Sequence, residues 1–368
     1  MPNLKQENIK RIVVRGTNWV GDAVMTVPAL RELRRLFPDA HITLATRPWA
    51  KELFADVEFL DDLLVFDRRG IGSVVSQVSE WKKRRFDLAV LFQNAFEAAL
   101  IPALARVPVR IGYATEGRRF LLTNSLALPD WRSSKHEVFY YLNIIAEVER
   151  MFLGSSGGIE DYRPETSLLI SPEREMAGRD LLSTFNLNSD QRVIALCPGS
   201  INSRAKRWPA ERFAALADLL IESKAQVVLI GSPEELDVSR EVASRMKHEP
   251  VVLTGKTSLS QAVDVISAVD LLVTNDTGPA HIAAALGRPT LVIFGPTNPE
   301  TTRPFSTTAE IVRHPPDCAP CMLRDCPIDH RCMTAISPDE VFGRVQAMLG
   351  DKATIESTAN ACPTGAVA

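Results

Sequence analysis

Short apolar runs alternate along the chain with stretches of helical spacing. Ile12-Val13-Val14 after Arg11 predicts a strand, and a polar loop at 15–22 follows it. Beyond the loop Leu30, Leu33 and Phe37 recur every third or fourth position, which turns one face of a helix toward a sheet. Pro28 lies inside that helix, so its regular part is expected to begin there. His41-Ile42-Thr43-Leu44 returns as a strand. The same alternation carries Phe86-Asp87-Leu88-Ala89-Val90-Leu91-Phe92 through an alanine-rich helix to Val109-Arg110-Ile111-Gly112. It resumes at Arg192-Val193-Ile194-Ala195-Leu196, which leads through a serine-bearing loop and a helix from Pro209 to Gln226-Val227-Val228-Leu229-Ile230. Asp270-Leu271-Leu272-Val273 then passes through a loop and a short helix, stopped by Gly287 and Pro289, to Thr290-Leu291-Val292-Ile293-Phe294.

Strand–helix–strand units of this kind build parallel sheets with helices on both faces. The two halves repeat the order and spacing without repeating the residues. The expected fold class is therefore α/β, with two Rossmann-like doubly wound parallel-sheet domains facing across a cleft. A front domain over 1–170 and a back domain over 171–335 are expected: Ser155-Ser156-Gly157-Gly158 breaks the helical pattern, and the polar stretch 186–191 precedes a new strand. Ser337-Pro338-Asp339-Glu340 has the pattern of a capping box with proline at the first helical position. It opens a helix over 336–350 that Gly350 stops, and the small, polar tail 351–368 is expected to be disordered.

Composition removes several classes. The 368 residues suffice for two cores, and 45% hydrophobic with 24% charged is an ordinary globular balance. No apolar run nears the roughly 20 residues that cross a bilayer. Residues 1–10 are polar and pass straight into a strand, unlike a secretory signal. A net charge of −3 argues against nucleic acid as a partner, although basic runs occur at Lys82-Lys83-Arg84-Arg85 and Arg118-Arg119. Six cysteines without an export signal fit a reducing cytoplasm rather than a disulfide scaffold.

Three strand-to-helix loops carry the candidate chemistry. In an open α/β sheet ligands bind beyond the carboxyl ends of the strands, where helix N-termini offer free N–H groups. Asn275-Asp276-Thr277-Gly278-Pro279-Ala280-His281 packs an acid, a hydroxyl and a glycine into such a turn; Asp276 or Thr277 either caps the helix or meets a polar ligand. Gly16-Thr17-Asn18-Trp19-Val20-Gly21-Asp22 is the second, and its Asp22 is either an N-terminal cap or a base facing a ligand. The third, 198–209, sets Ser200, Asn202, Ser203, Arg204, Lys206 and Arg207 before a helix, without the Walker lysine spacing. Amides and hydroxyls as donors, with Lys206 as a point charge, would suit a diphosphate; a solvated turn over Trp208 is the other reading. Its place at a strand's carboxyl end favours the diphosphate.

Cys318, Cys321, Cys326 and Cys332, with His314 and His330 close by, are candidates for zinc or an iron–sulfur cluster. Only Cys318 and Cys321 form the close couple usual in a structural zinc site. Thiols that stabilise a proline-rich loop are the alternative, and the balance is against a metal.

Thr17-Asn18-Trp19-Val20-Gly21-Asp22-Ala23-Val24-Met25-Thr26, Pro198-Gly199 with Ala205-Lys206-Arg207-Trp208-Pro209, and the 275–281 loop together resemble the lipopolysaccharide heptosyltransferases of glycosyltransferase family 9. The resemblance spans about 10–350. It implies a B-type glycosyltransferase that inverts the sugar carbon, with an acceptor-binding front domain and an ADP-sugar-binding back domain. It implies ADP-L-glycero-β-D-manno-heptose as donor with no cofactor required, and the first heptose of the inner core on Kdo2-lipid A as acceptor. Asp22 matches the family's proposed base and Lys206 its diphosphate lysine, so both are the expected catalytic residues. Ser200, Asn202, Ser203, Lys206, Asp276, Thr277, Gly278 and His281 are the expected donor contacts; Thr17, Asn18, Trp19, Arg118 and Arg119 are the expected acceptor contacts. Serines and an asparagine stand where some relatives carry threonines, so the resemblance does not assign which of them bonds the diphosphate, nor a role for Arg204. The implied location is cytoplasmic, peripheral on the inner membrane, where Arg110, Arg118, Arg119 and the run at 82–85 would meet the anionic lipid A-core acceptor. Transfer to another core position, a nucleotide-sugar 2-epimerase on the same fold, and a non-catalytic metal-sensing module are the competing expectations.

Overall fold

The computed structural model describes residues 5–66, 70–187 and 190–359. The chain divides into two compact units, Met1–Leu169 with Glu300–Phe305 and Ile170–Pro299 with Ser306–Ala368. Among the described residues each unit holds one six-stranded, all-parallel sheet.

The front sheet comprises β1 (Arg11–Arg15), β2 (His41–Thr46), β3 (Asp62–Val65), β4 (Leu88–Leu91), β5 (Val109–Tyr113) and β6 (Asn124–Leu126), in the order β3-β2-β1-β4-β5-β6. The back sheet comprises β7 (Val193–Cys197), β8 (Gln226–Leu229), β9 (Val251–Val252), β10 (Leu271–Asn275), β11 (Thr290–Phe294) and β12 (Ala309–Arg313). Its order, β9-β8-β7-β10-β11-β12, repeats the crossings of the front sheet. Val13 pairs with Thr43 on one side and Ala89 on the other; Leu272 pairs with Ala195 and Thr290. The central strands are apolar without alternation because helices cover both faces: Ile12, Val13, Val14, Ile194, Leu196 and Val273 are all fully buried. In such an order the winding direction reverses between β1 and β4, and between β7 and β10, and loops diverging there leave a crevice for a ligand.

Three sequence expectations change. The first helix is two, Val20–Met25 and Val27–Leu36, with Pro28 in the opening turn of the second. Helix therefore begins eight positions before the proline, because a proline lacking its N–H is tolerated where no intrahelical bond is needed. The last helix, Pro338–Ala359, runs through Gly350 instead of stopping there, so the stretch expected to be disordered from 351 is helical to 359. A helical glycine costs only about 1 kcal/mol, and no proline follows until 363. Residues 360–368 lie outside the described residues. That helix packs Val341 and Val345 into the same core as Phe213, Leu216 and Leu220 of the helix Ala210–Glu222. Third, Glu300–Phe305 belongs to the front unit although the chain on either side belongs to the back one. His136 Nε2 donates to the carbonyl of Arg303 (2.7 Å), Thr166 Oγ1 donates to that of Phe305 (2.8 Å), and the Phe305 ring lies on His136 and Phe139. Among the described residues no helix is long and apolar enough to cross a membrane.

Candidate active site

In the back unit the chain leaves β7 at Pro198-Gly199. A Cβ on Gly199 would fall 2.2 Å from Oε1 of the buried Glu235, so only glycine fits the turn. Beyond it the loop 200–208 is pinned from several sides. Asn275, fully buried at the end of β10, donates through Nδ2 to the carbonyls of Pro198 (2.8 Å) and Gly199 (3.1 Å) and accepts the Trp208 N–H through Oδ1 (3.0 Å). One amide thus closes both ends of the loop, and each of its polar atoms is satisfied. Arg207 donates to the Ser200 carbonyl at 3.1 and 2.9 Å. The segment 322–330 supports the loop from beneath: the Ala205 N–H donates to the Arg324 carbonyl (2.9 Å), Ser203 Oγ donates to the same carbonyl (3.2 Å), and His330 Nε2 donates to the Ala205 carbonyl (2.6 Å). The Ser203 hydroxyl therefore holds loop to loop. Ser200 is buried, Asn202 is exposed, and Arg204 pairs with Asp325 in solvent.

Lys206 leaves this loop with its ammonium against Asp276. Nζ donates to Oδ2 (2.8 Å) and to the Asp276 carbonyl (3.2 Å), the lysine side chain 27% exposed and the aspartate 5%. Thr297, from the loop after β11, donates through Oγ1 to the same Oδ2 at 2.7 Å. The helix Gly278–Ala285 has Thr277 as its N-cap, and no side chain caps it. The capping reading of this loop is thereby corrected: the Asp276 carboxylate is turned to Lys206 and Thr297, and Thr277 Oγ1 bonds the Asn275 carbonyl (3.2 Å). Pro279 carries no N–H and the Ala280 N–H bonds the Thr277 carbonyl (3.1 Å), so what the start of this helix presents to an anion is the Gly278 N–H and the positive end of the helix dipole. His281 is buried one turn behind.

In the front unit the loop after β1 runs into Val20–Met25, whose N-cap is Trp19. Asp22 lies within the first turn rather than at the cap. Thr17 is buried, with Oγ1 3.4 Å from the Trp19 carbonyl, whereas Asn18 is exposed and Trp19 keeps 57% of its surface in solvent. Behind Asp22 stands the helix Glu137–Leu153, carrying the wholly buried Tyr141. Burial first, then the charges of Asp22 and Glu137, hold the Tyr141 hydroxyl well above its ordinary range. Burial also raises the Glu137 carboxyl, while Arg132 draws it back through a bidentate pair (2.5 and 2.9 Å). Sequence reasoning missed Tyr141 near Asp22, because an apolar helix spacing reads as core, and missed the Arg132–Glu137 pair, which joins the turn Asp130–Ser133 to that helix.

Arg118, expected as an acceptor contact, lies inside the front unit. It is 0% exposed, and its guanidinium donates to the carbonyls of Tyr113 (2.8 Å), Gln93 and Ala95 and to Asn94 Oδ1 (3.2 Å). Burial brings its pKa down to about 10, so it stays charged while cementing the loops after β4 and β5. Arg110 likewise spends its guanidinium on the carbonyls of Leu121 (2.7 Å) and Val107 (2.5 Å). Arg119 alone of the three is exposed.

The cysteines are free thiols: Cys318 exposed, Cys321 and Cys326 half-buried, Cys332 buried. Burial, then the neighbouring Cys326, Cys321 and Cys318, raises the Cys332 thiol. Among the described residues no three His, Cys, Asp or Glu side chains are arranged to hold a metal ion. His330 is committed to Ala205 and His314 to Glu340 (2.8 Å).

Residues 76–331 match glycosyltransferase family 9 (heptosyltransferase). The chain is 30% identical over 320 residues to lipopolysaccharide heptosyltransferase 2 of Salmonella typhimurium, covering 82% of this chain and 88% of that one. With the protein of the same name from Escherichia coli it shares 30% over 317 residues, at the same coverage. The solved structure of E. coli ADP-heptose LPS heptosyltransferase II superposes with a TM-score of 0.79 at 29% identity, covering 93% of this chain and 99% of that one. With two parallel α/β sheets wound alike and these relatives, the chain belongs to glycosyltransferase family 9, the heptosyltransferases, and is a B-type glycosyltransferase.

Proposed function

We propose that this protein transfers L-glycero-D-manno-heptose from ADP-heptose to the first heptose of the lipopolysaccharide inner core. The observation that carries this reading is the Lys206 ammonium, seated on Asp276 beside the uncapped start of Gly278–Ala285 at the back sheet's reversal point. That edge offers a positive charge and the positive end of a helix dipole to a diphosphate. The second-heptose assignment follows the relatives named above.

In this reading Asp22 accepts the proton of the acceptor hydroxyl as its oxygen attacks the anomeric carbon from the face opposite ADP. The bond from that carbon to the β-phosphate oxygen breaks, and the electron pair leaves with ADP. Lys206 and the loop N–H groups stabilise the growing negative charge, and no cofactor enters the step. Thr17, Asn18, Trp19 and Arg119 are the proposed acceptor contacts in the front unit; Ser200, Asn202, Thr277, Gly278 and His281 flank the donor. The protein works on the cytoplasmic face of the inner membrane, and the exposed Lys82, Lys83 and Arg119 meet its anionic lipid. Liposome co-sedimentation that ignores ionic strength and charge reversal at Lys82 and Lys83 would refute that contact.

The deciding experiment incubates the protein with ADP-heptose and truncated core acceptors bearing zero, one or two heptoses, and weighs the products. Gain of one heptose by the one-heptose acceptor is expected. Gain only by the zero-heptose acceptor, or by none, overturns the reading.

A further inference from the structure

Asp276 is nearly sealed from solvent, yet a single oxygen, Oδ2, accepts two bonds, from Lys206 Nζ (2.8 Å) and from Thr297 Oγ1 (2.7 Å). The three residues come from the loops after β7, β10 and β11, which are neighbouring strands of one sheet. Thr297 is itself buried, and its loop is held firmly. The Pro296 carbonyl accepts the Met322 N–H (2.9 Å), and the space a side chain on Gly295 would need is filled by Met333, whose sulfur would lie 2.4 Å from such a Cβ. A rigid loop thus presents the hydroxyl to the carboxylate.

Lysine is a flexible donor of three N–H bonds. Two of them go to the carboxylate and carbonyl of Asp276, which leaves one direction for a ligand oxygen. That direction is defined only if the carboxylate cannot turn. The Thr297 hydroxyl fixes it, and by donating to the same oxygen it drains part of the negative charge that would otherwise neutralise Lys206. We propose that Thr297 is a positioning residue for the transfer reaction, acting through Asp276 to hold the Lys206 ammonium on the donor diphosphate. This rests on the reading of Lys206 as the diphosphate ligand.

The test is a double-mutant cycle read by calorimetric titration with ADP-heptose. Thr297→Val keeps the shape and removes the hydroxyl; we expect affinity to fall about tenfold, as for loss of one hydrogen bond to a charged group. Thr297→Ser keeps the hydroxyl and should bind within about twofold of the wild type. In a Lys206→Ala background, Thr297→Val should cause no further loss, because the hydroxyl has nothing left to orient. Thr297→Ala serves the same cycle if the valine variant does not fold. An equal loss in both backgrounds would mean general support of the fold and overturn the proposal, as would wild-type affinity in Thr297→Val or failure of serine to restore it. A wild-type protein that binds no ADP-heptose would instead sink the functional reading on which the proposal stands.

Discussion

The front and back sheets cross their strands in the same order, so the loops after β1 and β7 are topological counterparts, as are those after β4 and β10. Asp22 follows β1 and Lys206 follows β7: equivalent positions offer opposite charges. The difference lies in which partner is buried. In the front unit two cations, Arg15 and Arg118, are spent inside. Arg15 donates to Gln93 Oε1 (3.1 Å) and Gln77 Oε1 (2.7 Å) and lies 3.5 Å over the Phe66 ring, and Arg118 is consumed by backbone carbonyls. In the back unit the acid is buried and the cation stands in front of it, partly exposed to solvent. A shared winding therefore fixes where a functional group emerges, and the choice of buried partner fixes its sign.

This contrast can be broken most forcefully at Asp22. Asp22→Ala should lower kcat on the order of 10³-fold, the usual reach of a general base, while ADP-heptose affinity by calorimetry stays unchanged. Retained turnover would remove the front unit's chemical role. Lys206→Ala should weaken ADP-heptose binding about 10- to 100-fold, as expected for losing a charge-assisted bond to phosphate; an unchanged dissociation constant would strip the back unit of its offered cation. Arg118→Leu should cost about 3 kcal/mol of unfolding free energy in urea, because buried carbonyls lose their donor, yet leave the acceptor KM of the folded enzyme as it was. A raised KM with intact stability would return Arg118 to the acceptor surface. The smallest effect concerns His136, which burial holds below its ordinary 6.5. Between that depressed value and 6.5 the unfolded chain binds more protons than the folded one, so stability is lost as pH falls through this window. Thermal midpoints compared with His136→Asn should show the variant less sensitive to acid there. Parallel curves would exclude the histidine.

The alternation of apolar runs and helical spacing made the α/β class and the parallel sheets legible, because a strand covered on both faces must be apolar throughout. That the loops after β1, β7 and β10 run from a strand end into a helix was legible too. What escaped was partnership. Thr297 is an ordinary hydroxyl in a proline-bounded turn, and only the adjacency of β10 and β11 puts it on Asp276. Arg118 looked like a surface charge because it neighbours Arg119; its burial depends on the carbonyls of a loop some 25 positions earlier in the chain. Gly350 read as a stop because a glycine's cost is local, whereas the helix around it is held by the core its earlier turns occupy.

The short excursion Glu300–Phe305 has a practical outcome for anyone dissecting the molecule. A fragment ending at residue 169 would lack the strap whose phenylalanine covers His136 and Phe139, and would leave the Thr166 hydroxyl without its carbonyl. Neither half is encoded by one uninterrupted stretch, so a scissor cut in the gene at the obvious linker yields an incomplete lobe, and swapping lobes between relatives requires exchanging this strap as well.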